Sequence, residues 1–247
     1  MASAQPTRDD PAEALELARR HDLEVAPGEL DALWQRVSAD TVAAPRSFVT
    51  RLRELPTPTR VGFVLLGTLL LAGLTMMLIG GVRGDLVGGS LVARYAAALV
   101  GLTVLAGAVF AVALRGAHQR PLGWVGWALV ALGVLVPLGL SFTPAVWSDV
   151  SPPAEAIVNG CAFIGVATGV FAGILAWLFQ RQTTPVAVRL LASAAGGGII
   201  AFAMLQLHCP ADSVDHLVIG HSSVGLLLVA FAAIGLAVRR MIVGRRA

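Results

Sequence analysis

Three of the five histidines and one of the two cysteines fall within residues 207–221, in an otherwise apolar part of the chain. Ionisable groups at the edge of a membrane span are costly to place there and therefore point to function. Thiolate and imidazole are ligands that zinc and copper accept, so this segment is a candidate Zn or Cu site. Its candidate ligands are His208, Cys209, His216 and His221.

The spacing of these residues matches no standard metal motif, and other interpretations stay open. In an ideal α-helix, five residues rotate His221 by about 140° from His216, so the two would not share one face. Convergence on one metal then requires His208 or Cys209 to fold over from the loop. The histidines could instead bind loop carbonyls or report pH. The aspartates between Cys209 and His216 have the spacing of a helix cap.

The composition is that of an integral membrane protein. The 247-residue chain is 56% hydrophobic and 13% charged, with a mean hydropathy of +0.78, whereas about a quarter of the residues in soluble domains are charged. Roughly 20 apolar residues span a bilayer, so the sequence predicts an all-α bundle of six spans. The predicted spans are residues 61–79, 95–114, 122–142, 154–179, 186–207 and 217–238.

The arginines predict the orientation of this bundle. Loops rich in positive charge are retained in the cytoplasm. Placing both termini inside leaves only Arg83 and Arg94 outside, while all five acidic residues beyond residue 60 fall on the outer side. This topology puts residues 207–221 at the outer face.

The second cysteine introduces a redox alternative. Cys161 lies about two turns into the fourth span from its predicted outer end, and Cys209 ends the fifth span. Disulfides can persist on that side of the membrane. Small residues favour close packing of these two spans, at Gly165, Gly169 and Gly173 in the fourth and at residues 194–198 in the fifth. Cys161 and Cys209 are therefore a candidate sensor or redox pair, and separate inert thiols are the alternative.

Residues 1–58 predict a cytoplasmic tail with short amphipathic helices. One helix aligns four apolar residues at i, i+3, i+4 and i+7, namely Leu30, Leu33, Trp34 and Val37. So short a segment cannot bury much core unaided, so this face needs the membrane, another tail helix or a protein partner. The first 60 residues carry eight arginines against ten acidic residues, which disfavours direct nucleic-acid binding. A third helix, near residues 46–55, could lie along lipid headgroups.

The sequence does not favour catalysis or transport. It contains neither the H-E-x-x-H arrangement of a metalloprotease nor a C-x-x-C redox pair, and we expect no enzyme activity. No span has a charge near its centre, which disfavours an ion pathway. A small metal- or thiol-dependent membrane enzyme and a transport or structural bundle remain the alternative functions.

Two motifs resemble a known family. They are Leu207-His208-Cys209-Pro210 with His216 and Gly220-His221 before the last span, and Arg51-Leu52-Arg53 through Pro56-Thr57-Pro58-Thr59-Arg60 before the first. With the six-span topology, they resemble the bacterial membrane anti-sigma factors of the NrsF and CarR type. The resemblance implies an inner-membrane domain over residues 59–247 and a tail that sequesters an extracytoplasmic-function sigma factor. It also implies release on an envelope, oxidative, light or metal signal sensed by the outer Cys/His cluster.

Overall fold

A computed structural model describes most of the apolar part of the chain. The described residues are 47–79, 81, 91–115, 119, 122–142, 155–180, 187–209 and 213–244, together with residues 28, 31, 32 and 35. The chain divides into two compact units, Met1–Ser47 and Phe48–Ala247. The predicted partner-binding residues lie outside the described residues, and these are Leu30, Leu33, Trp34 and Val37.

The regular elements of the second unit are helices, and the described ranges contain no strand. They are α1 (Phe48–Glu54), α2 (Thr57–Ile79), α3 (Leu91–Ala113), α4 (Trp124–Ser141), α5 (Glu155–Phe179), α6 (Ala187–His208), α7 (Val214–His216), a π-helical segment (Leu217–Ser222) and α8 (Ser223–Gly244). Helices α2 to α6 are each long and apolar enough to cross a membrane, and α7, the π-helical segment and α8 form a sixth such helix. The predicted all-helical, multi-pass architecture is thereby confirmed.

Large apolar side chains cover the outside of the bundle. Met77 and Leu78 at the end of α2 are 82% and 78% exposed, and Phe163 on α5 is 76% exposed. In water such a surface would be unfavourable, whereas lipid tails solvate it. Trp124 and Trp127 near the start of α4 are also exposed, as expected of aromatic anchors at the membrane interface.

Helix α6 is the central helix of the bundle. Of the residues along its apolar stretch, 78% are buried, against 22–39% in the other five membrane-spanning helices. Its small residues make this position possible because they let neighbouring helices approach closely. A Cβ atom added at Gly196 would lie 2.7 Å from the ring of Phe110 on α3, and one added at Gly198 would lie 2.6 Å from the Cα of Gly225 on α8.

Helices α5 and α6 pack through their small residues, as the sequence predicts. A Cβ atom at Gly197 would lie only 2.5 Å from the carbonyl oxygen of Gly169, so the two backbones are in direct contact there. Gly173, the next residue of the predicted stripe, has open space around it. Gly165 is also tightly packed, with a Cβ there 2.8 Å from Leu205 on α6, so the close approach covers Gly165 and Gly169 but not Gly173.

Two arginines join the α1–α2 region to the carboxyl end of α5. Arg60 is 1% exposed and donates a hydrogen bond from Nη1 to the carbonyl of Phe179 at 3.0 Å. Arg53 donates from Nε to the carbonyl of Leu178, also at 3.0 Å. The last carbonyls of a helix lack intrahelical donors and attract cations. Arg53 thus contacts α5, although the sequence places its helix along the lipid headgroups.

Candidate metal centre

Four side chains converge at the opposite end of α5, where α6 ends and α7 begins. They are Cys161, Cys209, His216 and His221, which we call the Cys/His cluster, and their ligand atoms all lie within 4.8 Å of one another. The most exposed of them, Cys161, is 5% exposed. Buried polar groups are costly unless they are paired, so such a grouping inside a membrane bundle points to a function.

Three membrane-spanning helices supply these four groups. Cys161 comes from α5, and Cys209 follows the last residue of α6, where its backbone N–H still bonds the carbonyl of Leu205. His216 ends α7, and His221 lies in the π-helical segment. The N-cap of α7 is Ser213, whose hydroxyl accepts from the backbone N–H of His216 at 3.4 Å. The predicted cap at this position is therefore made by the serine between the two aspartates.

The two histidines face each other because the helix changes its hydrogen-bonding register. The Nε2 atoms of His216 and His221 are 3.2 Å apart, and their rings meet edge to face at an angle of 75°. In a π-helix the bond spans five residues, as between the Ser223 N–H and the Val218 carbonyl, so residues five apart lie on nearly the same side. The expectation that they could not share a face was wrong because it assumed an α-helix.

Cys209 completes a contact among three ligand atoms. Its Sγ lies 3.1 Å from Nε2 of His216, so that one nitrogen faces both a sulfur and a second imidazole nitrogen. A neutral imidazole carries a single N–H, so Nε2 of His216 can donate to at most one of these two neighbours. A cation between the ligand atoms would interact favourably with all of them.

His208 does not belong to the cluster. Its Nδ1 lies 3.0 Å from the carbonyl oxygen of Gly81, beyond the end of α2. Neighbouring residues on a helix point about 100° apart, so His208 and Cys209 project in different directions. The predicted ligand set is corrected accordingly: Cys161, placed by the sequence in a redox pair, takes the position assigned to His208.

Serine and phenylalanine side chains fix the π-helical segment against the bundle. The Ser222 hydroxyl lies 2.6 Å from that of Ser141 and donates to the carbonyl of Pro137 at 3.1 Å. The ring of Phe202 meets that of His221 edge to face at a centroid separation of 6.3 Å. Sequence reasoning did not identify these supports. Pro137 within an apolar helix is nevertheless a sequence signal of irregular backbone, whose polar groups need hydrogen-bond partners.

The arrangement has the composition of a metal site. Two sulfurs and two imidazole nitrogens are a frequent ligand set of tetrahedral zinc, with separations of ~3.3 Å between nitrogens and ~3.5 Å between nitrogen and sulfur. The corresponding distances in the cluster, 3.2 Å and 3.1 Å, are close to these values. The Cys/His cluster could therefore hold a metal ion with small side-chain shifts. Asp215 is exposed and is not part of it.

The chain was also compared with known proteins. It matches no protein-family model, and no curated protein or solved structure matches it significantly. The chemistry of the site itself is therefore the guide to function.

Proposed function

We propose that the protein is a membrane-bound anti-sigma factor that senses its signal at the Cys/His cluster and binds an extracytoplasmic-function sigma factor through its N-terminal tail. The observation that supports sensing is the Cys/His cluster. Four buried Cys and His side chains serve no evident structural need in an apolar bundle, and metals and thiol oxidants are the signals that such groups recognise.

Helix α5 offers a route from the cluster to the tail. Cys161 and Leu178 belong to the same continuous helix and lie about 26 Å apart along its axis at 1.5 Å per residue. The carbonyls of Leu178 and Phe179 accept hydrogen bonds from Arg53 and Arg60, which lie where the predicted tail of residues 1–58 joins the membrane domain. A shift of α5 at the cluster would therefore also move the carboxyl end of the tail.

The assignment of a sigma factor as partner rests on the resemblance to anti-sigma factors and on the charge and apolar pattern of the tail. An acidic segment with an apolar helical face suits a basic, partly apolar protein surface. The predicted contact residues are Leu30, Leu33, Trp34 and Val37. In the proposed topology both termini lie in the cytoplasm and the Cys/His cluster lies near the outer face of the bacterial inner membrane.

Two kinds of signal fit the cluster. Zn or Cu could bind the four side chains directly. Alternatively, a peroxide could remove two electrons and two protons from Cys161 and Cys209, joining the sulfurs while it is reduced to water. The two cysteines are not joined by a disulfide, and a disulfide would bring the sulfurs to about 2.05 Å. Either event changes how α5 is held against α6.

The cluster favours a sensor over the alternative metalloenzyme. Catalytic zinc sites keep one coordination position open for water or substrate. Here four protein ligand atoms lie within 4.8 Å of one another and all four residues are buried. A closed site of this kind binds or releases an ion but leaves no position for a substrate.

Affinity capture of the tagged full-length chain from membranes of its native host tests the partner. We expect an extracytoplasmic-function sigma factor to be enriched, and the purified sigma factor to lose promoter activity when the protein is added in detergent. Trp34→Ala and Leu33→Ala should weaken capture, whereas Gln35→Ala, off the apolar face, should not. Absence of any sigma factor from the captured proteins would contradict the proposal.

A further inference from the structure

We propose that the Cys/His cluster is a closed four-coordinate zinc site, with Zn²⁺ bound by Sγ of Cys161 and Cys209 and by Nε2 of His216 and His221. This inference identifies the ion that the cluster binds. It rests on the proposed function only for the role of that ion. Zinc binding can be measured with no sigma factor present, so the two proposals can fail separately.

The geometry requires little rearrangement. The measured distances, 3.2 Å between the histidine nitrogens and 3.1 Å from Cys209 to His216, are a few tenths of an ångström shorter than the tetrahedral values of ~3.3 Å and ~3.5 Å. All other pairs of ligand atoms lie within 4.8 Å, against ~3.8 Å for two sulfurs on one zinc. Small shifts of the four side chains complete a tetrahedron.

Charge selects a divalent ion. On binding, each thiol loses its proton to solvent and both histidines bind as neutral imidazoles, so Zn²⁺ and two thiolates form a neutral centre. Neutrality matters because each of the four residues is at most 5% exposed, and an uncompensated charge in such surroundings is costly. Cu⁺ with the same two thiolates would leave a net negative charge. Cu²⁺ prefers a tetragonal arrangement to the tetrahedral one available here.

The ligands come from three different membrane-spanning helices. Cys161 is on α5, Cys209 is at the end of α6, and the two histidines lie on the last membrane-spanning helix. The ion therefore fixes three helices to one another at the end of the bundle that holds the cluster. The same sulfurs cannot form a disulfide while they are zinc ligands, so the bound ion also protects the thiols from oxidation.

Metal content of the full-length protein tests this assignment. The protein is purified in detergent under reducing conditions, incubated with Zn²⁺, passed through a desalting column and measured by mass spectrometry. We expect about one zinc ion per chain, as in structural sites. Cys161→Ser, Cys209→Ser, His216→Gln and His221→Gln should each abolish stoichiometric zinc. His208→Gln, which alters the neighbouring imidazole outside the cluster, should retain it.

Cobalt gives a second measurement that does not depend on whether a variant folds. Co²⁺ added to the wild-type protein should produce sulfur-to-metal charge-transfer bands and the intense visible bands of a tetrahedral ion, and Zn²⁺ should displace it. A folded wild-type protein that stays metal-free with both thiols reduced would overturn the proposal. Loss of zinc in His208→Gln, an octahedral cobalt spectrum, or retention of Cu⁺ in preference to Zn²⁺ would also overturn it.

Discussion

Nε2 of His216 lies 3.2 Å from Nε2 of His221, although the two residues are five positions apart. The π-helical register of Leu217–Ser222 creates this contact. Such segments are rare and occur often at functional sites, where they re-aim side chains that an α-helix would separate. The local backbone and the composition of the cluster therefore agree in pointing to this part of the molecule.

The π-helical register predicts the effect of changing the segment's length. Ile219 is 60% exposed, and its deletion would place the histidines four residues apart, a spacing that an ordinary α-helix puts on one face. We expect the deletion variant to retain bound zinc. An alanine inserted after Ile219 should separate the imidazoles and abolish zinc binding. Metal content and helicity by circular dichroism check both variants, and equal zinc in the two would contradict the register argument.

Gly197→Ala should force α5 away from α6. The added methyl group would meet the backbone oxygen of Gly169 at 2.5 Å, and backbone cannot give way as a flexible side chain can. Overpacking of this kind costs about 1–3 kcal/mol of unfolding free energy. Cys161 lies on α5 and Cys209 follows α6. Separating the two helices should therefore also reduce crosslinking of the two thiols by a short bifunctional reagent.

Gly173→Ala is the matched control for that substitution. Gly173 lies on α5 one turn beyond Gly169, and a methyl group added there would have no neighbouring atom within 4 Å. Alanine is also a better helix former than glycine. The unfolding free energy of this variant in mixed micelles should be unchanged or slightly higher, and a loss comparable to that of Gly197→Ala would show that the Gly169–Gly197 contact is not the cause.

Ser222→Ala should loosen the attachment of the π-helical segment to α4. It removes the hydrogen bonds to Ser141 at 2.6 Å and to the Pro137 carbonyl at 3.1 Å. Hydrogen bonds between membrane helices contribute about 0.6 kcal/mol on average and up to about 1.7 kcal/mol. We expect a loss of unfolding free energy in that range. Ser223→Ala removes only a bond to the Ile219 carbonyl in its own helix and should cost less.

Arg60→Met should release the carboxyl end of α5. The substitution keeps an unbranched apolar stem but removes the donors to the Phe179 carbonyl and to Oγ1 of Thr57. Hydrogen bonds from charged groups contribute about 1.5–3 kcal/mol, which sets the expected loss of unfolding free energy. Arg51→Met, at an exposed position on α1, is the control. An unchanged stability in Arg60→Met would argue against this contact as a link between α5 and the start of α2.

Hydropathy alone predicts the six long apolar helices correctly. Each apolar run is long enough to cross a bilayer and has no competing soluble interpretation, so the six helices follow from counting residues. The packing of α5 against α6 through small residues also follows from sequence, because a stripe of small residues at intervals of four has a direct packing consequence. These features depend on the hydropathy and spacing of residues that are close along the chain, and both can be read from a single sequence.

The composition of the cluster required the tertiary structure. The sequence identifies Cys209, His216 and His221 as candidates because they are close along the chain, and it includes His208 for the same reason. Cys161 is 48 residues before Cys209, and only the packing of α5 on α6 brings it to the histidines. The switch from α- to π-helical hydrogen bonding could not be predicted from the sequence either, because it depends on the contacts of the last helix with Ser141 and Pro137. Local hydrophobicity thus determines where the chain spans the membrane, whereas the ligand set depends on long-range packing and on one change of backbone register.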